Sequence, residues 1–167
     1  MNRALFLDRD GVINEDYGHV HKIEDFHFRE GIFDVCLAAQ KAGMTIAVVT
    51  NQAGIGRGLY TKEAFRNLTH YMVREFSIRS IFISGVYYCP FHPDLGLGHF
   101  KKNSFFRKPN PGMFLSACAE HNINPRLSLM IGDRDTDRQA AASIGILSYV
   151  DASRRDWIKS ALWALHS

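Results

Sequence analysis

The sequence predicts an α/β protein with a doubly wound, mostly parallel sheet and helices on both faces. Two observations support this fold class. Short apolar runs that suit buried strands alternate with longer segments whose apolar residues recur at helical spacing. In addition, polar side chains suited to chemistry directly follow three of the predicted strands, at the sheet edge where open α/β folds bind ligands.

The first half of the chain contains three predicted strands and two predicted helices. Each strand is a short apolar run without helix caps, and the first reads Arg-Ala-Leu-Phe-Leu. Apolar residues at Ile32, Cys36 and Ala39 mark the first helix, which ends at Gly43, and Thr61 suits the N-cap of the second. In order, we predict a strand at residues 3–7, a polar loop to residue 30, a helix at 31–42, a strand at 44–49, a glycine-rich turn at 50–58, a helix at 62–76 and a strand at 81–88.

The second half begins with a long irregular segment at residues 89–110, and such a loop inside a compact domain is usually functional or mobile. Pro111 suits the first turn of the helix that follows, and Gly145 closes a later helix. Strict alternation of strands and helices implies a parallel sheet with right-handed crossovers. We predict a helix at 111–121, a strand at 127–131, a helix at 135–144, a strand at 146–150 and a helix at 153–165.

Length and composition indicate a single soluble domain spanning residues 1–167. The net charge of +3 is mild, and Lys and Arg are spread along the chain, so a nucleic-acid-binding surface is not indicated. No apolar run approaches the ~18 residues that span a membrane, and the N-terminus lacks a signal-peptide pattern, so we expect a cytoplasmic protein. Cys36, Cys89 and Cys118 are far apart and odd in number, which argues against a disulfide framework.

Two carboxylates, Asp8 and Asp10, follow the first strand, and Gly11 lets the backbone turn behind them. Like charges at this spacing raise each other's pKa, and a bound divalent cation removes that cost. Mg²⁺ prefers one or two carboxylates together with water and phosphate oxygens. Once a cation holds the phosphate, Asp8 could attack phosphorus as a nucleophile and Asp10 could protonate the leaving oxygen.

Two other interpretations of this Asp-x-Asp pair stay open at this point. A polar junction between strand and loop is common, and the pair by itself favours that interpretation. A calcium-binding loop of the helix-loop-helix kind fits less well, because its third ligand position falls on Val12, which has no side-chain oxygen. The residues that follow the other strands must therefore decide between them.

Further candidates follow the second and fourth strands and precede one helix. Thr50 offers a hydroxyl, and the glycine-rich turn after it offers backbone N–H groups, which suit phosphate oxygens. Lys108 could neutralise a transferring phosphoryl group, and Asp133 is the third carboxylate that completes an octahedral Mg²⁺ site. Arg57 and Arg107 could contact more distant substrate oxygens, although solvated surface cations of this kind are common.

Six motifs occur in a fixed order along the chain. They read Phe-Leu-Asp-Arg-Asp-Gly-Val-Ile-Asn at 6–14, Tyr-Gly-His-Val-His at 17–21, Thr-Asn-Gln-Ala-Gly-Ile-Gly-Arg-Gly at 50–58, Tyr-Tyr-Cys-Pro at 87–90, Arg-Lys-Pro-Asn-Pro-Gly-Met at 107–113 and Gly-Asp at 132–133. Together they resemble the haloacid dehalogenase (HAD) superfamily of aspartate-nucleophile phosphohydrolases, and within it the D,D-heptose 1,7-bisphosphate phosphatases, which are relatives of histidinol-phosphate phosphatase. The resemblance covers residues 3–150 and implies a Rossmann-like HAD fold. No separate cap domain is recognisable, which favours a small, accessible substrate.

The resemblance implies a role for each matching residue. Asp8 would be the nucleophile and a Mg²⁺ ligand, Asp10 the general acid and base and a ligand through its backbone carbonyl, and Asp133 the remaining protein ligand. Thr50 and Lys108 would hold the phosphoryl group. The residues expected in substrate binding are Asp16, Tyr17, Gly18, His19, Asn51, Gln52, Ala53, Arg57, Arg107 and Arg134.

The largest departure from the family lies in the segment that starts at Cys89. The family often holds a structural zinc there, through a Cys-x-His pair and a later Cys-x-Cys pair. Here only Cys89 remains, because the other three positions carry Phe91, Ser104 and Phe106. The loop's two histidines are shifted from the ligand positions and replace them poorly. We therefore expect no zinc, and apolar packing of the loop by Phe91, Phe105 and Phe106.

The sequence thus predicts a Mg²⁺-dependent phosphatase that acts on a phosphorylated sugar. The resemblance favours D-glycero-D-manno-heptose 1,7-bisphosphate, with removal of the C7 phosphate through an aspartyl-phosphate, in heptose and lipopolysaccharide precursor synthesis. Histidinol phosphate and heptose monophosphate are alternative substrates, and a non-catalytic phospho-sugar-binding module is the alternative from a different class. Arg134 stands where lysine is usual, which keeps the charge but changes the donor geometry. We expect a monomer whose partner is the small-molecule substrate, with neither nucleic acid nor membrane.

Overall fold

One parallel sheet runs through the centre of the protein. The structure, a computed structural model, describes residues 1–166, and Ser167, the last residue of the predicted domain, lies outside them. The strands are β1 (Ala4–Leu7), β2 (Thr45–Asn51), β3 (Gly85–Cys89), β4 (Leu129–Gly132) and β5 (Ser148–Asp151). The helices are α1 (Ile32–Lys41), α2 (Ala53–Gly56), α3 (Lys62–Ile78), α4 (Gly112–His121), α5 (Asp135–Ser143) and α6 (Trp157–His166). Within the described residues the strand order is β3-β2-β1-β4-β5, and every neighbouring pair is parallel.

Helices cover both faces of the sheet, because successive side chains of a strand point to opposite sides. In β1, Leu5 and Leu7 pack into a core with α1, α3 and α6. Phe6 faces the other way and packs with α4 and α5, where its ring lies 5.1 Å from that of Phe114. Full burial of such a side chain contributes about 1.5–3 kcal/mol. The predicted doubly wound α/β fold is confirmed.

Several element boundaries differ from the predicted ones. The third strand, predicted at residues 81–88, is Gly85–Cys89. Ile81 and Ile83 are buried in the core, but pairing with β2 begins only at Gly85. The fourth and fifth strands and the last helix also begin later than predicted, and the predicted turn at 50–58 contains α2. Apolar runs indicate burial, and burial alone does not distinguish a paired strand from a packed approach to it.

Two long loops leave the layered core at the carboxyl ends of strands. One covers residues 8–31 after β1, and the other covers residues 90–111 after β3. Each contains one single-turn helix, Ile23–Asp25 in the first and Gly98–Phe100 in the second. Among residues 1–166 there is therefore no separate cap domain over this edge. No helix in this part of the chain is long and apolar enough to cross a membrane.

The second loop does not bury all three phenylalanines that we expected to pack it. Phe105 and Phe106 are 57% and 45% exposed, so the expectation is wrong for these two. Phe91 is partly buried against the core, with its ring 5.8 Å from that of Phe100. The carbonyl of Phe105 accepts a hydrogen bond from the N–H of Gly112 at 3.0 Å, and the edge of its ring also lies beside Gly112 at the start of α4.

Candidate active site

The carboxyl ends of β1 and β2, the start of α5 and the second long loop surround a cavity of about 480 Å³. Most of the predicted site residues line it: Asp8, Asp10, Asp16, Gly18, His19, Asn51, Gln52, Ala53, Arg57, Arg107, Lys108 and Arg134. Thr50 and Asp133 contact this lining, since Thr50 Oγ1 lies 2.9 Å from Gln52 Nε2 and carboxylate oxygens of Asp133 and Asp8 lie within 4.8 Å of each other. Tyr17 does not line the cavity, and its side chain is 65% exposed.

Lys108 is 2% exposed and shares its ammonium between two carboxylates. Its Nζ lies 3.0 Å from Asp8 Oδ1 and 2.6 Å from Asp137 Oδ1, and it donates to the carbonyl of Val49 at 2.7 Å. Burial alone would lower the pKa of Lys108, but the two carboxylates raise it above its usual value, so the side chain stays charged. Asn51 fixes the backbone of Lys108 through two hydrogen bonds of 3.0 Å, one to its N–H and one to its carbonyl.

Asp8 lies at the end of β1 and is almost fully buried. Burial raises its pKa to about 7; Lys108 opposes the shift, and the nearby carboxylates of Asp137, Asp10 and Asp133 add to it. A divalent cation beside Asp8 would favour the ionised form and reverse this shift. The electrostatics of the carboxylate cluster therefore favour a bound cation.

Asp133 lies close enough to Asp8 to share such a cation. Burial, and then the charge of Asp137, raise the pKa of Asp133. Its Oδ1 is buried and has no hydrogen-bond partner among the described residues. Its Oδ2 lies against Gly11, whose φ is +83°, and a Cβ at this position would clash with the Asp133 carboxylate, so glycine is required for this placement. An orphaned carboxylate oxygen at this place is suited to a metal ion.

The carboxylates of Asp8, Asp133 and Asp137 form the group of potential metal ligands that the structure brings together within residues 1–166. Asp137 is already engaged, since it pairs with Lys108 and accepts two backbone N–H bonds. Asp8 and Asp133 remain for a cation. Mg²⁺ takes one or two carboxylates and keeps several waters or phosphate oxygens, so these residues fit a magnesium ion.

The carboxylate of Asp10 is held from two sides. Its Oδ1 accepts hydrogen bonds from Arg9 Nη2 at 2.8 Å and Asn14 Nδ2 at 3.1 Å, and its Oδ2 accepts from Gln52 Nε2 at 2.9 Å. Arg9 is 1% exposed, which is rare for arginine without a partner. Buried donors on both oxygens fix the orientation of the Asp10 carboxylate.

Asn51 and Gln52 are among the residues expected to line the substrate pocket. Both residues line the cavity, but their polar side-chain atoms are engaged within the protein. Asn51 pairs with the backbone of Lys108, and Gln52 pairs with Asp10 and Thr50. Their side chains are therefore arranged to orient other residues of the site.

Three arginines, Arg57, Arg107 and Arg134, form a cationic rim around the cavity. Arg57 Nη1 lies 3.2 Å from His19 Nε2, and Arg134 Nη2 lies 3.2 Å from Asp16 Oδ2. Arg107 Nη1 donates to a backbone carbonyl of its own loop at 3.2 Å. The rim thus places three guanidinium groups, whose N–H donors suit an anionic ligand, in the lining of the cavity.

Sequence reasoning missed five residues that line the cavity: Tyr60, His92, Asp135, Thr136 and Asp137. Asp137 is buried, and its Oδ2 accepts from the N–H groups of Asp133 and Arg134 at 3.2 and 3.1 Å. The available signal was its place in the first turn of the predicted helix, since a carboxylate three residues after an N-cap can accept backbone N–H groups at the helix start. Tyr60 and His92 line the cavity without a motif that would have identified them.

The segment that starts at Cys89 contains the positions where the family resemblance implies zinc ligands. Within residues 1–166, Cys89 belongs to no group of three or more potential metal ligands. His92 Nδ1 accepts from the N–H groups of Asp94 and Leu95, and Ser104 Oγ accepts from the N–H of Phe106. The absence of zinc stays a prediction.

Comparisons with known proteins add to this geometry. A family model described as HAD-hydrolase-like matches residues 105–150. The chain is 50% identical over 145 residues to the D-glycero-α-D-manno-heptose-1,7-bisphosphate 7-phosphatase of Burkholderia mallei, which covers 87% of this chain and 77% of that protein. It is 46% identical over 143 residues to the D-glycero-β-D-manno-heptose-1,7-bisphosphate 7-phosphatase of Vibrio cholerae, with coverages of 86% and 77%.

A solved structure shares both the fold and part of the sequence. The crystal structure of the D,D-heptose 1,7-bisphosphate phosphatase from B. bronchiseptica, complexed with magnesium and phosphate, superposes with a TM-score of 0.76. The two sequences are 26% identical, and the match covers 86% of this chain and 76% of the other.

Proposed function

We propose that this chain removes the C7 phosphate of D-glycero-D-manno-heptose 1,7-bisphosphate. The chain belongs to the D-glycero-D-manno-heptose-1,7-bisphosphate 7-phosphatase family of HAD hydrolases, and the proposal follows from that membership. It is a phosphoric monoester hydrolase with a Rossmann-like parallel sheet. Its relatives are named for both anomers of the sugar, α in the Burkholderia mallei protein and β in the Vibrio cholerae protein, so both anomers are candidate substrates.

One observation carries the proposal. Asp8 and Asp10 follow β1, Lys108 lies in the second long loop and Asp133 follows β4, yet they meet at one cavity. A nucleophile, a proton carrier, a buried cation and a pair of metal-binding carboxylates are the groups that phosphate-ester hydrolysis through an aspartyl-phosphate requires. A module that only binds a phospho-sugar has no need of the first two.

The reaction proceeds in two steps. Asp8 attacks phosphorus, the bond from phosphorus to the sugar oxygen breaks, and Asp10 gives its proton to that oxygen. Water then attacks the aspartyl-phosphate while Asp10 accepts the proton of the water. Phosphate leaves, and both aspartates return to their starting states.

Lys108 and Thr50 stabilise the transferring group. The Lys108 ammonium, 3.0 Å from the nucleophile Asp8, offsets the negative charge of the phosphoryl oxygens. Thr50 Oγ1 accepts a hydrogen bond from Gln52, which leaves its hydroxyl hydrogen to donate to a phosphate oxygen.

Asp8, Asp133 and the backbone carbonyl of Asp10 would hold Mg²⁺. When bound, the ion would supply positive charge that orients the phosphate and stabilises its oxygens in the transition state.

The cationic rim suits a substrate with a second phosphate. Guanidinium groups bind phosphate through paired N–H donors, and a bisphosphate would place its other phosphate toward Arg57, Arg107 or Arg134. We propose a monomer as the active unit.

The proposal is tested by phosphate release from both anomers of the bisphosphate, from heptose 7-phosphate and from histidinol phosphate, each with and without Mg²⁺. We expect the highest kcat/KM for one anomer of the bisphosphate, and ³¹P NMR of the product should show the C1 phosphate retained. A higher kcat/KM for histidinol phosphate or for the monophosphate would reassign the substrate. Binding of these compounds without any Mg²⁺-dependent release would support a non-catalytic module instead.

A further inference from the structure

We propose that Tyr60, acting through Gln52, is a positioning residue that holds the carboxylate of Asp10 with its Oδ2 oxygen as the proton-transfer atom. The inference rests on the proposed phosphatase activity, and it assigns to the Gln52 side chain a role other than substrate binding. Four hydrogen bonds around Asp10 and two further contacts of Tyr60 support it.

The two oxygens of Asp10 are not equivalent. Oδ1 accepts from Arg9 Nε at 3.2 Å, from Arg9 Nη2 at 2.8 Å and from Asn14 Nδ2 at 3.1 Å. Oδ2 accepts from Gln52 Nε2 at 2.9 Å. A carboxylate oxygen has about two lone-pair directions, so Oδ1 is filled by buried donors whereas Oδ2 keeps one direction for a proton. Oδ2 is therefore the oxygen that can give a proton to the leaving group and later take one from water.

The Gln52 amide must be oriented correctly to serve this oxygen. Its Nε2 donates to Asp10 Oδ2 and to Thr50 Oγ1, each at 2.9 Å. Its Oε1 accepts from the hydroxyl of Tyr60 at 2.5 Å. If the amide were flipped, Oε1 would face the Asp10 carboxylate and Nε2 would face the Tyr60 hydroxyl. The flip would set two acceptors, Oε1 and the Asp10 carboxylate, against each other, and the Tyr60 hydroxyl stabilises the other orientation by donating to Oε1. Asp10 and Tyr60 together therefore select the orientation in which Gln52 donates to Asp10.

Tyr60 is itself held firmly. Its ring is 8% exposed and stacks on the ring of His21, with centroids 5.0 Å apart and planes inclined by 6°. On another side it lies against Gly54, where a Cβ would stand 2.1 Å from Tyr60 Cε1. Burial raises the pKa of Tyr60 to about 12, with a smaller opposing effect of Arg9, so the hydroxyl keeps its proton as a donor.

Loss of the Tyr60 hydroxyl should therefore act on proton transfer and not on phosphate binding. In the first step the proton leaves Asp10 Oδ2 for the sugar oxygen while the bond between that oxygen and phosphorus breaks. A leaving group that departs readily as an anion needs no such proton. The two kinds of substrate should respond differently to the same variant.

The experiment measures kcat/KM of the Mg²⁺-loaded protein on a sugar phosphate and on p-nitrophenyl phosphate. Because kcat/KM covers the reaction only up to departure of the leaving group, the second step does not enter. The variants are Tyr60→Phe, Gln52→Met and the double variant. Tyr88→Phe is the matched control, since Tyr88 belongs to the same small apolar cluster and packs against Phe65 with ring centroids 4.3 Å apart.

We expect Tyr60→Phe to lower kcat/KM on the sugar phosphate about tenfold, which is a part of the ~10²–10⁴-fold that a positioned general acid contributes. The same variant should keep kcat/KM on p-nitrophenyl phosphate within about twofold of the wild-type value. Gln52→Met should lower the sugar-phosphate value at least as much. The double variant should be no worse than Gln52→Met, because Tyr60 acts through Gln52. Tyr88→Phe should leave kcat/KM unchanged on both substrates.

Three results would overturn the inference: equal losses on both substrates, no loss on the sugar phosphate, or additive losses in the double variant. Melting temperatures identify a variant that is not folded. Gln52→Met and Tyr60→Phe each give an independent measure of the substrate ratio, which is kcat/KM on the sugar phosphate divided by kcat/KM on p-nitrophenyl phosphate. The ratio can be measured on whichever alkyl phosphate the wild-type protein hydrolyses. If the wild-type protein hydrolysed other alkyl phosphates but not heptose bisphosphate, that result would count against the proposed substrate and not against the role of Tyr60.

Discussion

Asp137 Oδ1 lies 2.6 Å from Lys108 Nζ, closer than the 3.0 Å between Lys108 and the proposed nucleophile Asp8. The side chain of Asp137 also accepts the N–H groups of Asp133 and Arg134 at the start of α5. One buried carboxylate thus connects the cation of the second long loop to the metal-binding end of β4. A substitution at Asp137 should therefore affect both Lys108 and the metal-binding residue Asp133.

We predict that Asp137→Asn lowers kcat about 10–100-fold, the range typical of residues that orient metal ligands. The amide oxygen can still accept the two backbone N–H bonds, so the fold should persist, but Lys108 loses one of its two counter-charges and pairs more tightly with Asp8. Steady-state kinetics and a thermal melt measure the two effects. Asp156→Asn, on an exposed carboxylate, is the control. A wild-type kcat in Asp137→Asn would contradict this role.

We predict that Asp8→Asn abolishes phosphate release, with a loss of at least about 10³-fold, because an amide cannot form the aspartyl-phosphate. Asp10→Asn should retain more activity, since it removes proton transfer but leaves the nucleophile in place. Both are measured by release of inorganic phosphate under single-turnover conditions. Near-wild-type hydrolysis by Asp8→Asn would reject the assignment of the nucleophile.

The raised pKa of Asp8 predicts a pH-dependent stability of the metal-free protein. A carboxyl whose pKa is about 7 in the folded state and 3.8 otherwise stabilises the fold at low pH, and this contribution is lost as pH rises from about 4 to about 7. We expect the Tm in EDTA to fall from about pH 5 to about pH 8, by roughly 2–4 °C per kcal/mol at this chain length. The fall should be smaller in Asp8→Asn.

Magnesium should reverse this trend. Its ligands must be deprotonated, so added Mg²⁺ should raise the Tm more at about pH 8 than at about pH 5. Differential scanning fluorimetry with and without EDTA measures both slopes. An equal Mg²⁺ effect at the two pH values, or the same pH slope in Asp8→Asn as in the wild type, would argue against Asp8 as the responsible group.

We predict that the purified protein carries far less than one zinc per chain. Phenylalanine or serine occupies the three other positions where the family resemblance implies zinc ligands, so Cys89 alone remains of a four-ligand site. Elemental analysis measures the metal content. The combined variant Phe91→His, Ser104→Cys and Phe106→Cys restores the ligand types and should bind zinc stoichiometrically. Stoichiometric zinc in the wild-type protein would contradict the prediction.

The fold and much of the site could be predicted from local signals. Thr61 was expected as an N-cap, and its side chain accepts from the N–H of Ala64 at the start of α3. Asp8, Thr50 and Asp133 follow predicted strands, and parallel topology requires the ends of those strands to meet. The exposed rings of Phe105 and Phe106 could not be predicted, because composition does not tell which way a loop residue points.

The sequence by itself determined the alternation of strands and helices, the order of the motifs and the family to which they belong, because these depend on spacing along the chain. Only the tertiary structure decided that Asn51 orients Lys108, that Gln52 joins Tyr60 to Asp10 and that Asp133 rests against a glycine. These contacts join residues that are distant along the chain or whose side chains turn inward. The partners of these side chains depend on packing and on the requirement that buried polar groups form hydrogen bonds. Local periodicity in the sequence predicts neither of them.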